Sequence, residues 1–227
     1  MAIFAIGDLH LSLGGNKPMD VFPGWAGYLP KLEKNWRALI APGDTVVLDG
    51  DTSWAMKLED TAADFKFIES LPGQKWLVKG NHDYWWTTQH KMETYIKNSG
   101  FDSLHILHNN CCVVNGVALC GTRGWLFDDS EPQDAKVMAR EAGRLRLSLD
   151  AAKDLPKRVF LHYPPVYPGA QATALLEVLH AYGIDRCWYG HLHGKSIRFA
   201  VQGLHDGIDY RLISADGLGF CPLKIED

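Results

Sequence analysis

The chain reads Gly80-Asn81-His82-Asp83 one residue after an apolar run that has the length of a short buried strand. Gly190-His191-Leu192-His193 directly follows a second such run near the other end of the chain. In open α/β sheets, ligand sites form beyond the carboxyl ends of the strands. The two motifs therefore predict that polar side chains far apart in the sequence meet at one edge of a sheet.

Three further predicted strands end in the same kinds of side chain. Asp8 and His10 follow the first apolar run of the chain, and Asp51 follows the second. His162 stands directly after a later run. Because residues i and i+2 of an extended chain point the same way, we expect Asp8 and His10 to reach one ion together. Five polar strand ends are thus expected around a common centre.

The donor atoms at these strand ends indicate a metal site. They are carboxylate, imidazole and amide groups without a nearby thiolate, a set that suits Mn²⁺, Fe or Zn²⁺. They are too many for one tetrahedral ion, but two ions about 3.5–4 Å apart that share a carboxylate would use them all. The seven donors are Asp8, His10, Asp51, Asn81, His162, His191 and His193.

Short apolar runs alternate with amphipathic windows, a pattern that is typical of a layered α/β protein. Several runs are apolar on both faces, as in strands that lie between two layers. The sequence has no repeat, low-complexity tract or linker, which predicts one domain over residues 1–227. The predicted strands are Ile3–Ile6, Thr45–Leu48, Trp76–Val78, Val113–Val114, Val117–Leu119, Val159–Leu161 and Arg186–Tyr189, the predicted helices are Trp25–Ile40, Met56–Ser70, Trp85–Asn98, Pro132–Lys153 and Ala170–Tyr182, and strands and turns are expected over Ser196–Ile225.

Composition and charge exclude several classes of protein. Of the 227 residues, 46 % are hydrophobic and 22 % are charged, which is ordinary globular usage and excludes a disordered or fibrous chain. The 23 Lys and Arg against 27 Asp and Glu give a net charge of −4, whereas a protein that grips duplex nucleic acid normally has a basic surplus. A nucleic-acid partner is therefore disfavoured, although a small basic groove would not show in the net charge.

Cysteine usage and the N-terminus predict a reduced, cytoplasmic protein. The five cysteines include no Cys-x-x-Cys pair, so we expect free and mostly buried thiols instead of disulfides or a thiolate zinc site. The N-terminus has no basic segment ahead of a long apolar run, and no stretch of about 18 apolar residues occurs. We therefore expect neither a signal peptide nor a membrane partner.

The motifs, in this order, resemble those of the calcineurin-like metallophosphoesterases. Asp-x-His, Gly-Asp, Gly-Asn-His-Asp, a lone His and Gly-His-x-His run from Asp8 to His193 and so cover most of the chain. Gly-Asn-His-Asp together with Gly-His-x-His is the specific part, since Asp-x-His alone is a common chance match. The resemblance implies a β-sandwich flanked by helices, in four αββα layers, and a metal-dependent phosphohydrolase.

The resemblance also implies two divalent metal ions as cofactors, held by two sets of side chains and joined by one carboxylate. A carboxylate suits the bridge because it offers two oxygens where an amide offers one. The first set is Asp8, His10 and His193, the second set is Asn81, His162 and His191, and the bridge is Asp51.

His82 and Asp83 are the catalytic side chains that the resemblance implies. His82 would stand beside the reacting phosphate without binding metal, as a general acid or as a stabiliser of the transition state. Asp83 would orient the imidazole of His82, and Asn81 would also contact the substrate. The expected reaction is in-line attack of a metal-bridging hydroxide on phosphorus, without a covalent enzyme intermediate.

The second motif departs from the family pattern, which many members continue as Gly-Asp-x-x-Asp or Gly-Asp-x-x-Asn. Protein phosphatases of this family carry an Arg shortly after that motif, whereas this chain reads Gly50-Asp51-Thr52-Ser53-Trp54. A protein phosphatase is therefore disfavoured. Arg123, in Gly121-Thr122-Arg123-Gly124-Trp125, is the substitute candidate for substrate binding, because a guanidinium matches phosphate. The alternative is an arginine that only lies in a surface turn.

Aromatic residues next to the motifs bear on the substrate. A flat leaving group such as a nucleobase could stack on them, or they could simply pack loops and helix starts. These residues are Trp54, Tyr84, Trp85, Trp86, Trp125, Tyr163 and Tyr167.

A small phosphodiester or nucleotide-like ester is the expected substrate. A phosphomonoesterase is one alternative, and a non-catalytic protein that binds metal or a partner on the same fold is another. An amidohydrolase is a further rival, but such enzymes usually place His-x-His on the first strand, whereas here Asp-x-His comes first.

Overall fold

The computed structural model describes residues 1–125 and 132–226, which form two main β-sheets with helices on their outer faces. In chain order the elements are β1 (Ile3–Ile6), α1 (Tyr28–Leu39), β2 (Thr45–Asp49), α2 (Ala62–Ser70), β3 (Gln74–Val78), α3 (Gln89–Asn98), β4 (Leu104–Ile106), β5 (Cys111–Val114), β6 (Val117–Thr122), α4 (Pro132–Ala151), β7 (Lys157–Leu161), β8 (Val166–Tyr167), β9 (Ala170–Gln171), α5 (Thr173–Ala181), β10 (Arg186–Tyr189), β11 (Gly203–His205), β12 (Ile208–Leu212) and β13 (Leu223–Glu226). Short 3-10 helices occupy Met19–Val21, Leu58–Thr61 and Gly194–Phe199.

Both sheets have parallel central strands, and each has at least one antiparallel edge strand. The first has the order β13-β1-β2-β3-β4, in which only β13 is antiparallel to its neighbour. The second has the order β11-β12-β10-β7-β6-β5, in which β11 and β5 are antiparallel to theirs. In each sheet, the parallel strands therefore place their carboxyl ends at one edge, which is where the sequence predicts the donors.

The two sheets face each other across an apolar layer. Ile3, Ala5 and Val47 of the first sheet belong to the same buried cluster as Leu119 and Phe160 of the second. Successive residues of a strand point to opposite faces, so strands that are covered on both sides must be apolar on both. This confirms the interpretation of the uninterrupted apolar runs as strands between two layers.

Helices cover the outer faces of the sheets. Leu32 of α1, Phe65 of α2 and Met92 of α3 are buried against the first sheet. Leu145 of α4 and Leu175 of α5 are buried against the second. Each such side chain contributes about 1.5–3 kcal/mol through burial. The order helix, sheet, sheet, helix confirms the predicted four-layer α/β architecture.

Helix α3 begins later than the sequence predicts. The predicted helix starts at Trp85, but the observed one starts at Gln89, because Thr88 is extended and its side chain accepts a hydrogen bond from the Lys91 amide. Thr is a favoured N-cap residue, since its oxygen satisfies an amide that the first helical turn leaves free. Trp85 consequently lies before the helix and is buried in the core.

Other boundaries also differ from the prediction. Ala170–Gln171, predicted as helix, pairs with β8 in a small antiparallel hairpin, so that α5 begins only at Thr173. The first part of the predicted helix Met56–Ser70 is a 3-10 turn. Strand β4 was not predicted, because His105 interrupts its apolar residues and no continuous apolar run marks it.

The five cysteines are free thiols, and three of them, Cys112, Cys120 and Cys187, are buried. This agrees with their predicted role as small apolar side chains. Among the residues that the structure describes, no helix has both the length and the apolar character needed to cross a bilayer.

Candidate metal and catalytic site

The loops that follow β1, β2 and β12 are tied together by main-chain hydrogen bonds. The amide of Gly7 donates to the Ile213 carbonyl at 2.7 Å, which joins the end of the first sheet to the end of the second. The amide of Asp8 donates to the Gly50 carbonyl at 2.9 Å. These bonds bring the donor-bearing ends of the two sheets to one place.

Asp8, His10 and His193 form one group of converging donors. Nε2 of His193 lies 3.1 Å from Oδ1 of Asp8 and 3.2 Å from Nε2 of His10. On the other side of the ring, Nδ1 of His193 lies 3.0 Å from the Asp216 carboxylate. A carboxylate at the second ring nitrogen orients a metal-binding histidine. The sequence analysis did not predict this role for Asp216. Because Asp216 contacts Nδ1 of His193, Nε2 of that ring is directed at Asp8 and His10.

Asp8, Asp51 and His162 form a second, adjacent group. Nε2 of His162 lies 3.5 Å from Oδ2 of Asp51. Nδ1 of His162 donates to the main-chain oxygen of Asp49 at 3.0 Å, so Nε2 is the atom left for a ligand. Because Asp8 belongs to both groups, the two lie side by side.

Asn81 and His191 adjoin the second group. Oδ1 of Asn81 lies 2.8 Å from Nε2 of His162 and 2.9 Å from Nδ1 of His191. The structure therefore brings all seven predicted donors together, while their division between two ions stays a prediction.

The backbone at these donors is unusual. Asp8, His10, Asp51 and His191 all have positive φ, between 46° and 70°. This left-handed conformation is uncommon in residues other than glycine and clusters at functional sites. The assumption that Asp8 and His10 share a direction because the chain is extended is therefore wrong. They reach the same centre because the backbone turns sharply at both residues.

Two glycines permit the close approach of neighbouring loops. A Cβ at Gly190 would lie 2.5 Å from the carboxylate of Asp8. A Cβ at Gly80 would collide with both the amide and the carboxylate of Asp51. A larger residue at either position would displace a donor, so the glycines of these motifs have a steric role.

Asp83 has a different role from the predicted one. Its buried carboxylate does not orient His82 but accepts hydrogen bonds from five N–H groups. The reason is the turn at His82, which sends the two neighbouring side chains in different directions. Asp83 therefore joins the loop after β2 to the loop after β3. Its donors are the amides of Asp51, Thr52, Ser53 and Gly80 and the indole of Trp85, at 2.7 to 3.3 Å.

His82 is half-buried at the edge of the donor cluster. Its amide donates to Oδ1 of Asp51 at 2.7 Å, and its ring centroid lies 5.7 Å from that of His10. The residue beside Nδ1 is Tyr84, whose hydroxyl is 3.4 Å away. His82 thus adjoins the donors, as the sequence predicts for a residue that meets the substrate.

Arg123 contacts a buried carboxylate and an aromatic ring that do not belong to the seven donors. Its guanidinium lies 3.3 Å from the Glu141 carboxylate and 4.8 Å from the centroid of the Trp125 ring, and its side chain is only 14 % exposed. Arg123 is therefore not simply a surface arginine in a turn. Its predicted contact with the substrate stays a prediction.

Some of the aromatic residues that the sequence places next to the motifs adjoin the donors, and others do not. Trp54 stacks on His10 with centroids 4.8 Å apart, and Tyr163 lies 4.3 Å from the His191 ring, so both adjoin the donors. Trp85, in contrast, packs edge-on against Phe65 in the core. Tyr84 is exposed.

Two histidines of the site are strongly basic in the metal-free chain. Burial lowers the pKa of the His162 and His193 rings, but nearby carboxylates outweigh it and raise both pKa values to about 10. The carboxylate common to both is Asp8. Burial lowers the pKa of His10 and His191 to about 4. In the metal-free chain near neutral pH, the first pair therefore carries protons and the second pair does not.

Metal binding near neutral pH is expected to release about two protons per chain, because an imidazole must be deprotonated before it ligates. Metal affinity should rise with pH until His162 and His193 lose their protons near pH 10. Calorimetric titration in buffers of different ionisation enthalpy counts the protons. A count of zero would contradict the expected charge of the two rings.

The donor set fits divalent cations. Buried carboxylates and imidazoles that converge on one point are costly unless a cation or hydrogen bonds compensate them. The carboxylate, imidazole and amide atoms here are ligands for Mn, Fe or Zn. The two groups that share Asp8 could hold adjacent ions.

Fold and site together define a layered α/β protein with a metal-binding centre at the carboxyl ends of its strands. The family described as calcineurin-like phosphoesterase matches residues 1–195. The chain belongs to this family, as its motifs indicate.

Solved structures share the fold at low sequence identity. A phosphopantetheinyl hydrolase from Mycobacterium tuberculosis aligns with a TM-score of 0.60 and 15 % identity, over 99 % of this chain and 95 % of the other. The protein TT1561 of Thermus thermophilus aligns with a TM-score of 0.56 and 18 % identity, over 84 % and 81 %. The protein of unknown function AQ665 from Aquifex aeolicus aligns with a TM-score of 0.51 and 17 % identity, over 98 % and 95 %. Comparison with curated proteins finds no matching sequence.

Proposed function

We propose that this protein hydrolyses small phosphate esters at a pair of divalent metal ions, with phosphodiesters or nucleotide-like esters preferred. The observation that carries the proposal is the convergence of seven donors. Five of them form two adjacent groups that share Asp8, and Asn81 and His191 adjoin the second group. When bound, two such ions supply an activated water and offset the negative charge of the phosphate oxygens. Membership of the phosphoesterase family supports the same chemistry.

The proposed first ligand set is one of the two groups, and the second set is built around His162 of the other group. Asp8, His10 and His193 would hold one ion, and their donor atoms lie within 4.8 Å of one another. Asn81, His162 and His191 would hold the other, since the amide oxygen contacts both rings. Asp51 would bridge, because Oδ2 faces His10 at 3.7 Å and His162 at 3.5 Å, one residue from each set.

His82 is the proposed catalytic side chain. Its position beside the donors lets it reach a phosphate oxygen without occupying a metal position. Burial, only partly opposed by Asp51, lowers the pKa of His82. Near neutral pH the ring is therefore mostly uncharged. This favours a role in which the ring donates a hydrogen bond to the developing negative charge over one in which it delivers a full proton.

His82→Asn is expected to lower kcat by about 100- to 1,000-fold, the usual loss when one such donor is removed. The metal content should not change, because His82 is not among the proposed ligands. Turnover and metal analysis of the same preparation measure both quantities. His205→Asn, at an exposed histidine of β11, is the matched control. Loss of metal in His82→Asn would contradict the proposed role.

A groove that Tyr84 borders offers room for an organic leaving group, since the Tyr84 hydroxyl lies 3.4 Å from Nδ1 of His82. It has a volume of about 710 Å³, and Tyr84, Trp86, Lys57 and Lys91 are among the residues that line it. Aromatic rings can stack on a flat group, and lysines can contact polar ones. The similar structure from Mycobacterium tuberculosis is a phosphopantetheinyl hydrolase, which supports tests with esters of small organic groups.

The test is hydrolysis of bis-p-nitrophenyl phosphate and p-nitrophenyl phosphate by the Mn²⁺-loaded protein. Faster turnover of the diester is the expected result. Preference for the monoester would identify a phosphomonoesterase instead. Retention of metal without turnover of either ester would contradict the proposal and favour a protein that binds metal or a partner without catalysis.

A further inference from the structure

The indole of Trp54 packs against two imidazoles of the site. Its ring centroid is 4.8 Å from that of His10, in a stacked arrangement with 23° between the planes. The same centroid is 4.6 Å from that of His82, with 48° between the planes. His10 is a proposed metal ligand and His82 is the proposed catalytic side chain. One half-buried ring therefore contacts a residue of each kind.

The ring of His82 has few other contacts that could fix its orientation. Among the described residues, no carboxylate lies within hydrogen-bond distance of its ring nitrogens, and the neighbouring Asp83 accepts from five other N–H groups. Tyr84 contacts Nδ1 through its hydroxyl at 3.4 Å, but its side chain is 52 % exposed. Of the three described rings that contact His82, that of Trp54 is the closest.

Trp54 is itself held in place by several contacts. Its amide donates to the Leu11 carbonyl at 2.9 Å, and its indole N–H donates to the sulfur of Met19 at 3.4 Å. The preceding residue, Ser53, donates its hydroxyl to the buried carboxylate of Asp64 on α2. These contacts fix the segment that carries Trp54 against the loop after β1 and against α2. The indole can therefore serve as a rigid support for another ring.

Trp54 also occupies the position at which the second motif departs from the family pattern. Many members have Asp or Asn three residues after the Asp of that motif, and this chain has Trp there. An indole offers no acceptor to an imidazole N–H, so it supports the ring by packing against it. Among the described residues nothing bonds to Nε2 of His82, which is thus left for the substrate.

We propose that Trp54 is a positioning residue for the reaction, because its indole fixes the ring of His82 beside the metal centre. This role rests on the proposed phosphoesterase function, whereas the contact between the two rings does not. A displacement of about 1 Å at a reacting group can cost about 100-fold in rate. The support is therefore expected to act on kcat, and Trp54 itself does not contact the phosphate.

The first experiment observes the ring contact without any turnover. Nuclear Overhauser contacts between the ring protons of Trp54 and His82 are expected in the Zn²⁺-loaded protein, which is diamagnetic. The signals are assigned by their absence in Trp54→Leu and in His82→Asn. Trp76 and His105, which stack with centroids 4.8 Å apart, are the internal reference. A contact in the reference pair without one between Trp54 and His82 would overturn the proposal.

The second experiment is a double-mutant cycle of Trp54→Leu and His82→Asn, assayed by ester hydrolysis at saturating Mn²⁺. In the parent background, Trp54→Leu is expected to lower kcat by about 10- to 100-fold and to change KM by less than about threefold. In the His82→Asn background it should change kcat by less than about threefold, because residues that act as a unit are not additive. Trp54→Phe keeps a flat ring and should recover most of the activity.

Trp76→Leu is the matched control for the loss of a tryptophan that stacks on a histidine. Trp76 lies in β3 and its partner His105 lies in β4, and neither belongs to the site. The substitution should leave kcat unchanged. Unfolding curves of all the variants separate a general loss of stability from a specific loss of rate.

Three results of the cycle would overturn the positioning role alone. An equal loss of kcat in both backgrounds, or a loss of bound metal, would assign the effect to His10. A higher KM at constant kcat would identify Trp54 as a surface on which the substrate stacks. An unchanged kcat in Trp54→Leu would leave the ring contact as packing only. Absence of hydrolysis by the parent protein would instead defeat the proposed function, and the positioning role with it.

Discussion

Asp51→Asn is expected to lower kcat/KM for phosphate ester hydrolysis by about three orders of magnitude, or about 4 kcal/mol of transition-state stabilisation. One carboxylate oxygen of Asp51 faces the rings of His10 and His162, and the other accepts a hydrogen bond from the His82 amide at 2.7 Å. An asparagine can place its single oxygen at only one of these two positions. Its NH₂ group would face either the His82 N–H or the proposed metal position.

Metal content and kcat/KM, measured on the same preparation, test this expectation. Asp60→Asn, at an exposed aspartate, is the matched control for the loss of one negative charge and should leave both quantities unchanged. Activity of Asp51→Asn within about tenfold of the parent protein would show that Asp51 does not bridge two ions.

Asp83→Ala is expected to lower the free energy of unfolding by about 3–5 kcal/mol, although Asp83 is not a proposed ligand. The substitution removes the acceptor of five N–H groups, four of which belong to the main chain. Buried donors without an acceptor are the most expensive outcome of losing a hydrogen bond. The loops after β2 and β3 would lose the group that joins them, so metal affinity should fall as well.

Denaturant unfolding of the metal-free protein separates this effect on stability from any effect on metal binding. Asp83→Asn keeps one acceptor oxygen and should be affected less than Asp83→Ala. Asp102→Ala, at an exposed position, serves as the control and should change stability by no more than about 0.5 kcal/mol. A loss of less than about 1 kcal/mol in Asp83→Ala would mean that water replaces the carboxylate without cost.

Much of the site could be predicted from the sequence, because parallel strands place their carboxyl ends together. Once Ile3–Ile6 and Thr45–Leu48 are recognised as parallel strands of one sheet, the polar residues that follow them must share an edge. Arg186–Tyr189 belongs to the second sheet, whose end meets the first through the bond from the Gly7 amide to the Ile213 carbonyl. The structure brings the seven donors together accordingly. The family match over residues 1–195 agrees with the order of the motifs.

The supporting contacts could not be predicted in the same way. The role of Asp83 depends on the direction of its side chain at a sharp turn, and adjacency to His82 in the sequence suggested the wrong partner. The pairing of Arg123 with Glu141 joins residues from a strand end and a helix. No spacing rule in the sequence reports such a contact.

Asp216 is a supporting residue that the sequence did signal. It follows the apolar residues of β12, just as the donors follow their strands, and β12 lies parallel to β10 in the second sheet. Because this region was expected to contain only strands and turns, the polar strand end was overlooked. The general rule that polar residues after parallel strands share one edge would have included it.

The most direct test of the dinuclear centre is a titration of the metal-free protein with Mn²⁺, in which bound metal and hydrolysis of bis-p-nitrophenyl phosphate are followed together. The seven converging donors predict that activity develops with the second ion and reaches its plateau at about two equivalents. A plateau at one equivalent, or no hydrolysis with two ions bound, would contradict a catalytic pair of metal ions.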